Sequence, residues 1–469
     1  MNVHATDRVS HDPTVLVIDI GTSSVKAAVM TGDGRVLSHG RRRIMGPSEA
    51  SASFDADRWI DALGHTIPYI VSQYRVDAVV ISGNGPTVVA VDRNGMVIDR
   101  PLLWLDRRTA GAGDTDSFYL PKIAWFDQHA PGADRVRWYL PFPEYLLYRL
   151  TGEAVAITPS DEFSRYIWTG DEAKRYGVDT RLLPPFVSIG AVVGRVTASA
   201  AEWTSLAEGT PVVAGGSDFL MSLLGTNTLR PGRTCDRAGT SEGINHCTSE
   251  NIQYPGLRTL PHVIPGLYNV AGILSSTGQL FEWFREISGQ ESRDYGQMML
   301  EILNVPDDAD VPWFFPSVHR GAAWEFQKGM FIGLGAEHDS AAMGRAVVLS
   351  IGFAVRETIE ILGDAGAGVH QLNACGGQAK NGLWTQMKAD IVGVPISVPE
   401  VADAELTGNL CAGLVGLGEA ADLQQAAEGV VRTLHLFEPD PVRHSLFGDQ
   451  YHHYRDRYAM FRQALESCS

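Results

Sequence analysis

Apolar residues fall along this chain in short unbroken runs that stop at glycine-rich or acidic turns, and the runs alternate with stretches of helical period. Residues 15–19 are apolar until they end on Asp19, residues 21–24 make a small polar turn, and residues 25–30 are apolar again. Gly32-Asp33-Gly34 then turns the chain into a third strand. Continuous apolar runs of this kind predict buried strands. Residues 55–74 instead place Trp59, Ile60, Leu63, Ile67 and Ile70 at helical spacing, with a kink expected at Pro68. A buried strand is predicted at 78–82, ending in Gly83-Asn84-Gly85-Pro86, another at 87–91, and a third at 102–108 that runs into a charged cluster. The apolar helix at 143–150 is stopped by Thr151-Gly152, and 169–177 reads as a connection or short helix. Residues 211–214 form another buried strand, which ends Gly215-Gly216-Ser217-Asp218 before a possible helix at 219–224.

The second half begins near Thr226, and Pro231-Gly232 leads into a strand. Gly278-Gln279 precedes a helix with Leu280, Trp283 and Phe284 on one side. Residues 375–379 follow a strand end and precede a helix in which Trp384, Met387 and Ile391 form a core-facing stripe. Residues 406–417 carry Gly408, Ala412, Gly413 and Gly416, the composition of a closely packed helix. Alternating strands and helices indicate an α/β architecture, in which ligands collect at strand ends.

Length and charge narrow this picture. The 469 residues accommodate two large domains or about three average ones. A net charge of −17 argues against a nucleic-acid partner and against docking on anionic membranes. An anionic ligand must then be handled locally, by backbone N–H groups, a metal and a few basic residues. The first residues lack the apolar core of a signal peptide, and no apolar stretch is long enough to span a bilayer. Five cysteines with no CxxC spacing fit a reducing cytoplasm and small buried hydrophobes, not a disulfide framework or zinc site.

The candidate chemistry sits at the strand ends. A strand, a small-residue turn and a strand make a hairpin whose N–H groups can surround an anion, with Thr and Ser hydroxyls as further donors. Asp19 at the strand end is placed to hold Mg²⁺, an ion that takes a few carboxylates plus waters, and Lys26 adds positive charge. The same pattern is an ordinary Gly-turned hairpin, but residues 237–243 repeat its Gly-Thr-Ser turn in the other half. Asp218, thrust out beyond two glycines, suits a general base and equally the start of a helix. Asp106 and Arg108 are either a surface ion pair or the donors and acceptors a polyol needs. Gly376-Gly377 either opens a helix or leaves room for a flat base such as adenine. Neither a G-x-x-x-x-G-K-[ST] loop nor an H-E-x-x-H helix occurs.

Taken in order, the segments are DIGTSSVK at 19–26, ISGNGP at 81–86, LWLDRR at 103–108, PKIAWF at 121–126 and YLLYRLTGE at 145–153. GGSD at 215–218, AGTSEG at 238–243 and GGQAKNGLWTQMKADIVGVPI at 376–396 complete the set. Their order and spacing resemble the FGGY family of carbohydrate kinases, over most of the chain. The resemblance implies two actin-like (ribonuclease H-like) ATPase lobes, residues 1–226 and 227–469, with a cleft between them where ATP and sugar meet. It makes Asp218 the base that takes the sugar hydroxyl proton, and puts Asp19 and Asp218 near Mg²⁺. Gly21, Thr22, Ser23, Lys26, Gly239, Thr240, Ser241 and Gly278 would serve the phosphates, and Gly376, Gly377, Gln378 and Asn381 the adenosine. Asn84, Trp104, Asp106 and Arg108, with Asp218, would face the sugar.

The implied reaction is ATP-dependent phosphorylation of a small sugar or polyol, foremost a ketopentose such as xylulose, in a cytoplasmic enzyme for which a homodimer remains open. Kinases of glycerol, ribulose or gluconate type are the nearest alternatives. A nucleotide switch like actin or the heat-shock chaperone ATPases is the rival from another class, and intact Asp19 and Asp218 speak against a dead sugar-binding relative. Two departures stand out. Xylulose kinases usually show Gln-Met-His-Gly where this chain has Asn84-Gly85-Pro86-Thr87, and residues 336–357 fit the pattern only loosely.

Overall fold

The structure, a computed structural model, describes residues 12–21, 23–44, 54–104, 106, 108, 115–317, 326 and 328–466. The chain divides into two compact units. The first comprises Met1–Asn227, Val263–Pro265 and Glu405–Val431, and the second comprises Thr228–His262, Gly266–Ala404 and Arg432–Ser469.

The first unit is built around β1 (Thr14–Ile20), which is buried along its whole length as its uninterrupted apolar run requires. It pairs antiparallel with β2 (Ser24–Thr31), which pairs antiparallel with β3 (Val36–Arg43). On its other side lies β4 (Ala78–Gly83), parallel, preceded by helix α1 (Asp57–Val71), whose Trp59, Leu63, Ile67 and Ile70 are buried. The sheet is completed by β5 (Val192–Arg195) and β6 (Pro211–Ser217), in the order β3-β2-β1-β4-β6-β5. Helix α2 (Asp218–Gly225) starts directly where β6 ends.

The second unit repeats this plan. Its strands are β7 (Thr234–Ala238), β8 (Glu242–Thr248), β9 (Arg258–Pro261), β10 (Tyr268–Leu274), β11 (Leu372–Cys375), β12 (Ile396–Pro399) and β13 (Thr433–Phe437), in the order β9-β10-β8-β7-β11-β12-β13. Without the additional edge strand β9, the pairing directions match the first sheet: three antiparallel strands, two parallel ones, then an antiparallel edge, although that edge strand precedes its neighbour in the chain in the first sheet (β5 before β6) and follows it in the second (β13 after β12). The short Gly-Thr-Ser repeat is thus the visible trace of a duplicated fold, because each copy joins its first two strands.

Several elements depart from the sequence reading. The strand expected at 102–108 shrinks to one bridge between Leu102 and Val88. The chain turns there instead, with Asp106 N donating to Leu103 O at 2.9 Å. The strand expected to end at 214 runs on to Ser217 through a bulge between Ala214 and Gly216. Gly278 lies inside helix α3 (Thr277–Ile287) rather than before it, while 170–175 is a short helix.

The largest difference concerns residues 405–431, expected in the second lobe but packed in the first unit. They follow α4 (Gly382–Val392) and begin with α5 (Ala404–Leu417), whose small residues explain the packing. A Cβ on Gly408 would lie 2.0 Å from the Met221 carbonyl oxygen, and one on Gly416 would lie 2.7 Å from Val213. One on Gly413 would meet Val15 and Val80 at 3.0 Å. Gly408 thus lets α5 lie directly on the backbone of α2, and Gly413 and Gly416 bring it against the valines of β1, β4 and β6. Cys235, Cys247, Cys375 and Cys411 are buried and unbridged. Among the described residues no helix is long and apolar enough to cross a membrane.

Candidate active site

In the first unit the candidate residues gather at the C-terminal ends of β1, β4 and β6. Asp19 is buried; it faces Lys26 across the β1–β2 pair and lies beside Ser82 in β4. Ser82 Oγ donates to Asp19 Oδ1 at 2.8 Å. Burial, and then the nearby Glu405 carboxylate, push the Asp19 carboxyl up to about 7; Lys26 pulls it down and Asp218 adds to the rise. Lys26 Nζ stands 3.8 Å from Glu405 Oε2. The following turn closes with Gly21 N donating to Ser24 O at 3.1 Å, and Ile44 N ties it to Ser23 O at 2.8 Å. Thr22 lies outside the described residues. A Cβ on Gly21 would meet only the Ser24 carbonyl at 3.7 Å, and one on Gly239 only Ser241 O at 3.7 Å, so packing within the protein demands glycine at neither.

Asp218 is the first residue of α2, and its Oδ1 accepts from Phe219 N at 2.8 Å. It therefore serves the helix start with one oxygen. Burial, then the Glu144 charge and last that of Asp218, raise the phenol of Tyr119, which sequence reading had not singled out, well above its ordinary range. The Tyr119 hydroxyl also lies 3.1 Å from where a Cβ on Gly85 would stand.

The sugar-side candidates form two groups. Asn84 is buried; its Oδ1 accepts from Thr87 Oγ1 at 2.9 Å, and Thr87 Oγ1 accepts from Trp104 N at 3.1 Å. Asn84 thus anchors the loop that presents Trp104, whose side chain is 41% exposed. Asp106 and Arg108 make a bidentate pair, with Arg108 Nε 2.9 and 3.0 Å from the two oxygens, and the guanidinium stacks 4.3 Å over Trp125. Hydrogen bonding from Arg108 holds the Asp106 carboxyl below its ordinary range, and the buried Lys122 also faces it. Leu105 and Arg107 of the same motif lie outside the described residues.

In the second unit Gly239 and Thr240 are exposed at the turn between β7 and β8, Ser241 half so, and Gly239 N donates to Ser241 O at 2.8 Å. Helix α3 is locked to this turn: Gln279 N donates to Thr240 O at 3.1 Å, and a Cβ on Gly278 would lie 2.1 Å from Gly239 O. Gly376, at φ +90°, packs against the Ala238 carbonyl, while Gly377 beside it is open. Gln378 and Asn381 are occupied by the protein itself. Gln378 donates to Thr277 Oγ1 at 3.3 Å and accepts from Trp384 Nε1 at 3.0 Å; Asn381 caps α4 through Trp384 N at 3.0 Å. Beneath the turn, buried Lys388 donates to Asp236 at 2.9 Å and Glu242 at 2.7 Å.

Sequence reasoning named residues at the strand ends but not the partners they have there: Ser82, Tyr119, Glu405, Asn409 and Lys388. Only Lys388 had a signal, being a charge at the a-like face of an otherwise apolar helix stripe. Among the described residues no three His, Cys, Asp or Glu side chains gather as a metal cage. A buried carboxylate with a second acid nearby instead fits Mg²⁺, which keeps waters and binds through one or two carboxylates plus phosphates.

The chain matches two family profiles, described as the N-terminal domain of the FGGY family of carbohydrate kinases, over residues 14–115 and 111–225, and its C-terminal domain, over residues 237–417. It is 27% identical over 463 residues to the xylulose kinase of Bacillus subtilis, covering 91% of this chain and 92% of that one. To the autoinducer-2 kinase of Escherichia coli it is likewise 27% identical, over 372 residues, 74% of this chain and 69% of that one. The crystal structure of xylulose kinase from Rhodospirillum rubrum superimposes with a TM-score of 0.79 at 22% identity, over 97% of this chain and 100% of that one.

Proposed function

Because this chain belongs to the FGGY family of carbohydrate kinases, and so phosphorylates a sugar or polyol with ATP, we propose that its acceptor is a ketopentose or related polyol, phosphorylated on a terminal primary hydroxyl. The observation that carries the catalytic part is the carboxylate of Asp218, held at the junction of β6 and α2 with one oxygen bonded to Phe219 N. The Asp218 carboxylate takes the proton of the attacking hydroxyl. Phosphoryl transfer asks little covalent chemistry beyond an oriented nucleophile and donors around the phosphate. The N–H groups of Gly21 and Gly239 close their own turns, so the hydroxyls of Ser23, Thr240 and Ser241 are the donors these turns offer, and the open Gly377 offers room for adenosine. Mg²⁺, held by Asp19 with Asp218 nearby, would neutralise phosphate charge.

Two facts about the sugar pull apart. The likeness to a xylulose kinase favours a ketopentose, but equal identity to an autoinducer-2 kinase shows that overall likeness does not fix the acceptor. Pro86 also stands where xylulose kinases usually show His, and it offers neither a polar side chain nor a backbone N–H. A site that has lost a hydroxyl-bonding group loses the discrimination that group provided. D-xylulose is therefore expected to be a poorer substrate here than for a dedicated xylulose kinase; equal kcat/KM would refute the argument from Pro86.

Asn84→Ala and Arg108→Ala are each expected to lower kcat/KM for the true acceptor by about tenfold or more, the scale of one lost polar contact, with KM for ATP nearly unchanged. Steady-state kinetics with each substrate varied in turn checks this. If both variants weaken ATP and spare the acceptor, these residues serve the nucleotide instead.

A further inference from the structure

Helix α5 lies on the first sheet through a stripe of small residues, yet it carries a wholly buried amide, Asn409, into that contact. Asn409 Nδ2 donates to Ile18 O at 2.9 Å and to Ser82 Oγ at 2.8 Å. Ile18 O only accepts, so the amide's orientation is fixed by chemistry: its nitrogen must face β1. Ser82 Oγ accepts from Asn409 Nδ2, so the single hydroxyl proton of Ser82 has to be donated elsewhere. That proton is left for Asp19 Oδ1 at 2.8 Å, since the alternative acceptor, Ile18 O, is 3.5 Å away. Asn409 Oδ1 is buried without a hydrogen-bond partner and sits 2.8 Å from where a Cβ on Gly215 would be. One side chain thus touches β1 beside Asp19, touches β4 at Ser82, and lies against the bulge of β6 that leads to Asp218.

We propose that Asn409 is a positioning residue, which through Ser82 pins one oxygen of Asp19 and turns the other toward the divalent cation. This rests on the reading of Asp19 as a Mg²⁺ ligand. Outer partners that orient a metal-binding carboxylate typically matter 10–100-fold in affinity or activity. The arrangement also accounts for residues 405–431 lying in the first unit, where α5 completes the support of a motif some 390 residues earlier in the chain.

The test uses the full-length protein with ADP, and Mn²⁺ as a paramagnetic probe followed by electron spin resonance. Asn409→Leu keeps volume and removes the donor; Ser82→Ala removes the link to Asp19 but leaves the Asn409–Ile18 bond, so it carries the same test should the first variant fail to fold. Each is expected to raise the Mn²⁺ dissociation constant by roughly 10–100-fold while ADP affinity without metal stays within about twofold. Asp19→Asn separates the two layers of the argument. If it leaves Mn²⁺ binding intact, the reading of Asp19 itself falls. If it abolishes binding while Ser82→Ala binds Mn²⁺ like the wild type, Asp19 stands and the positioning role is wrong. Equal loss of metal and of metal-free ADP affinity in the folded variants would mark a general structural role and overturn the proposal.

Discussion

Asp218→Asn is expected to lower kcat for acceptor phosphorylation by at least about 10²-fold, the smaller effect usual for a positioned general base, while ATP binding is largely kept. An amide does not accept the hydroxyl proton at neutral pH, yet it has the shape of the carboxylate. Its oxygen can still accept from Phe219 N, the 2.8 Å bond that starts α2, so the fold at the β6–α2 junction should survive. Initial rates together with calorimetric ATP titration separate the two effects. Turnover within about tenfold of wild type would reduce Asp218 to a helix-start residue and remove the base from the mechanism.

Lys388→Met is expected to cost about 3–5 kcal/mol of stability, the usual effect of deleting one partner from a buried ion pair. Lys388 is the cation between two buried carboxylates, Asp236 in β7 and Glu242 in β8, which flank the Gly239–Ser241 turn. By the usual scaling for a unit of this size, the melting temperature should fall by on the order of 10 °C. The loss has a pH signature. Burial, and then Asp236, raise the Glu242 carboxyl from 4.5 to about 7, opposed by Lys388. A carboxyl whose folded pKa is raised binds its proton more tightly in the native state, so its ionisation makes folding less favourable as pH climbs from 4.5 toward 7. Without Lys388 the penalty is larger, so the variant should lag furthest behind wild type at and above neutral pH and recover toward pH 5. Thermal melts at several pH values decide it; a deficit below about 1 kcal/mol, independent of pH, would show that the triad does not hold the turn.

The strands that carry the site were legible because their apolar runs are continuous and their ends are marked. β1 stops at Asp19 and Ile20, β4 at Gly83 before Asn84, and β6 at Ser217 before Asp218. A charged or glycine-rich break after a buried run needs no tertiary information to be seen. The duplication was legible only as one repeated turn, since strand order is set by pairing partners far apart in sequence. Helix α5 shows the limit most clearly. Its glycines announced close packing, but nothing local says that the neighbours are Val15, Val80 and Val213 rather than strands of the second unit. Asn409 and Glu405 were invisible for the same reason, because a polar residue in a small-residue helix looks like solvent-facing surface until its partners are known. Asp106 and Arg108 bond each other, as the ion-pair alternative read from the sequence had it, while the stack of Arg108 on Trp125, seventeen residues further on, was not legible.

The nucleotide chemistry of this chain serves to phosphorylate a small hydroxylated acceptor. It is tested most directly by measuring ADP release from the purified full-length protein across a panel of ketopentoses, polyols and sugar acids, with phosphorus NMR to identify the phosphorylated product. ADP formation should rise well above the basal rate with at least one acceptor, a ketopentose foremost, and an equimolar sugar phosphate monoester should appear at a terminal position. A steady basal hydrolysis that no acceptor stimulates, yielding only inorganic phosphate, would contradict the account and point to a nucleotide switch.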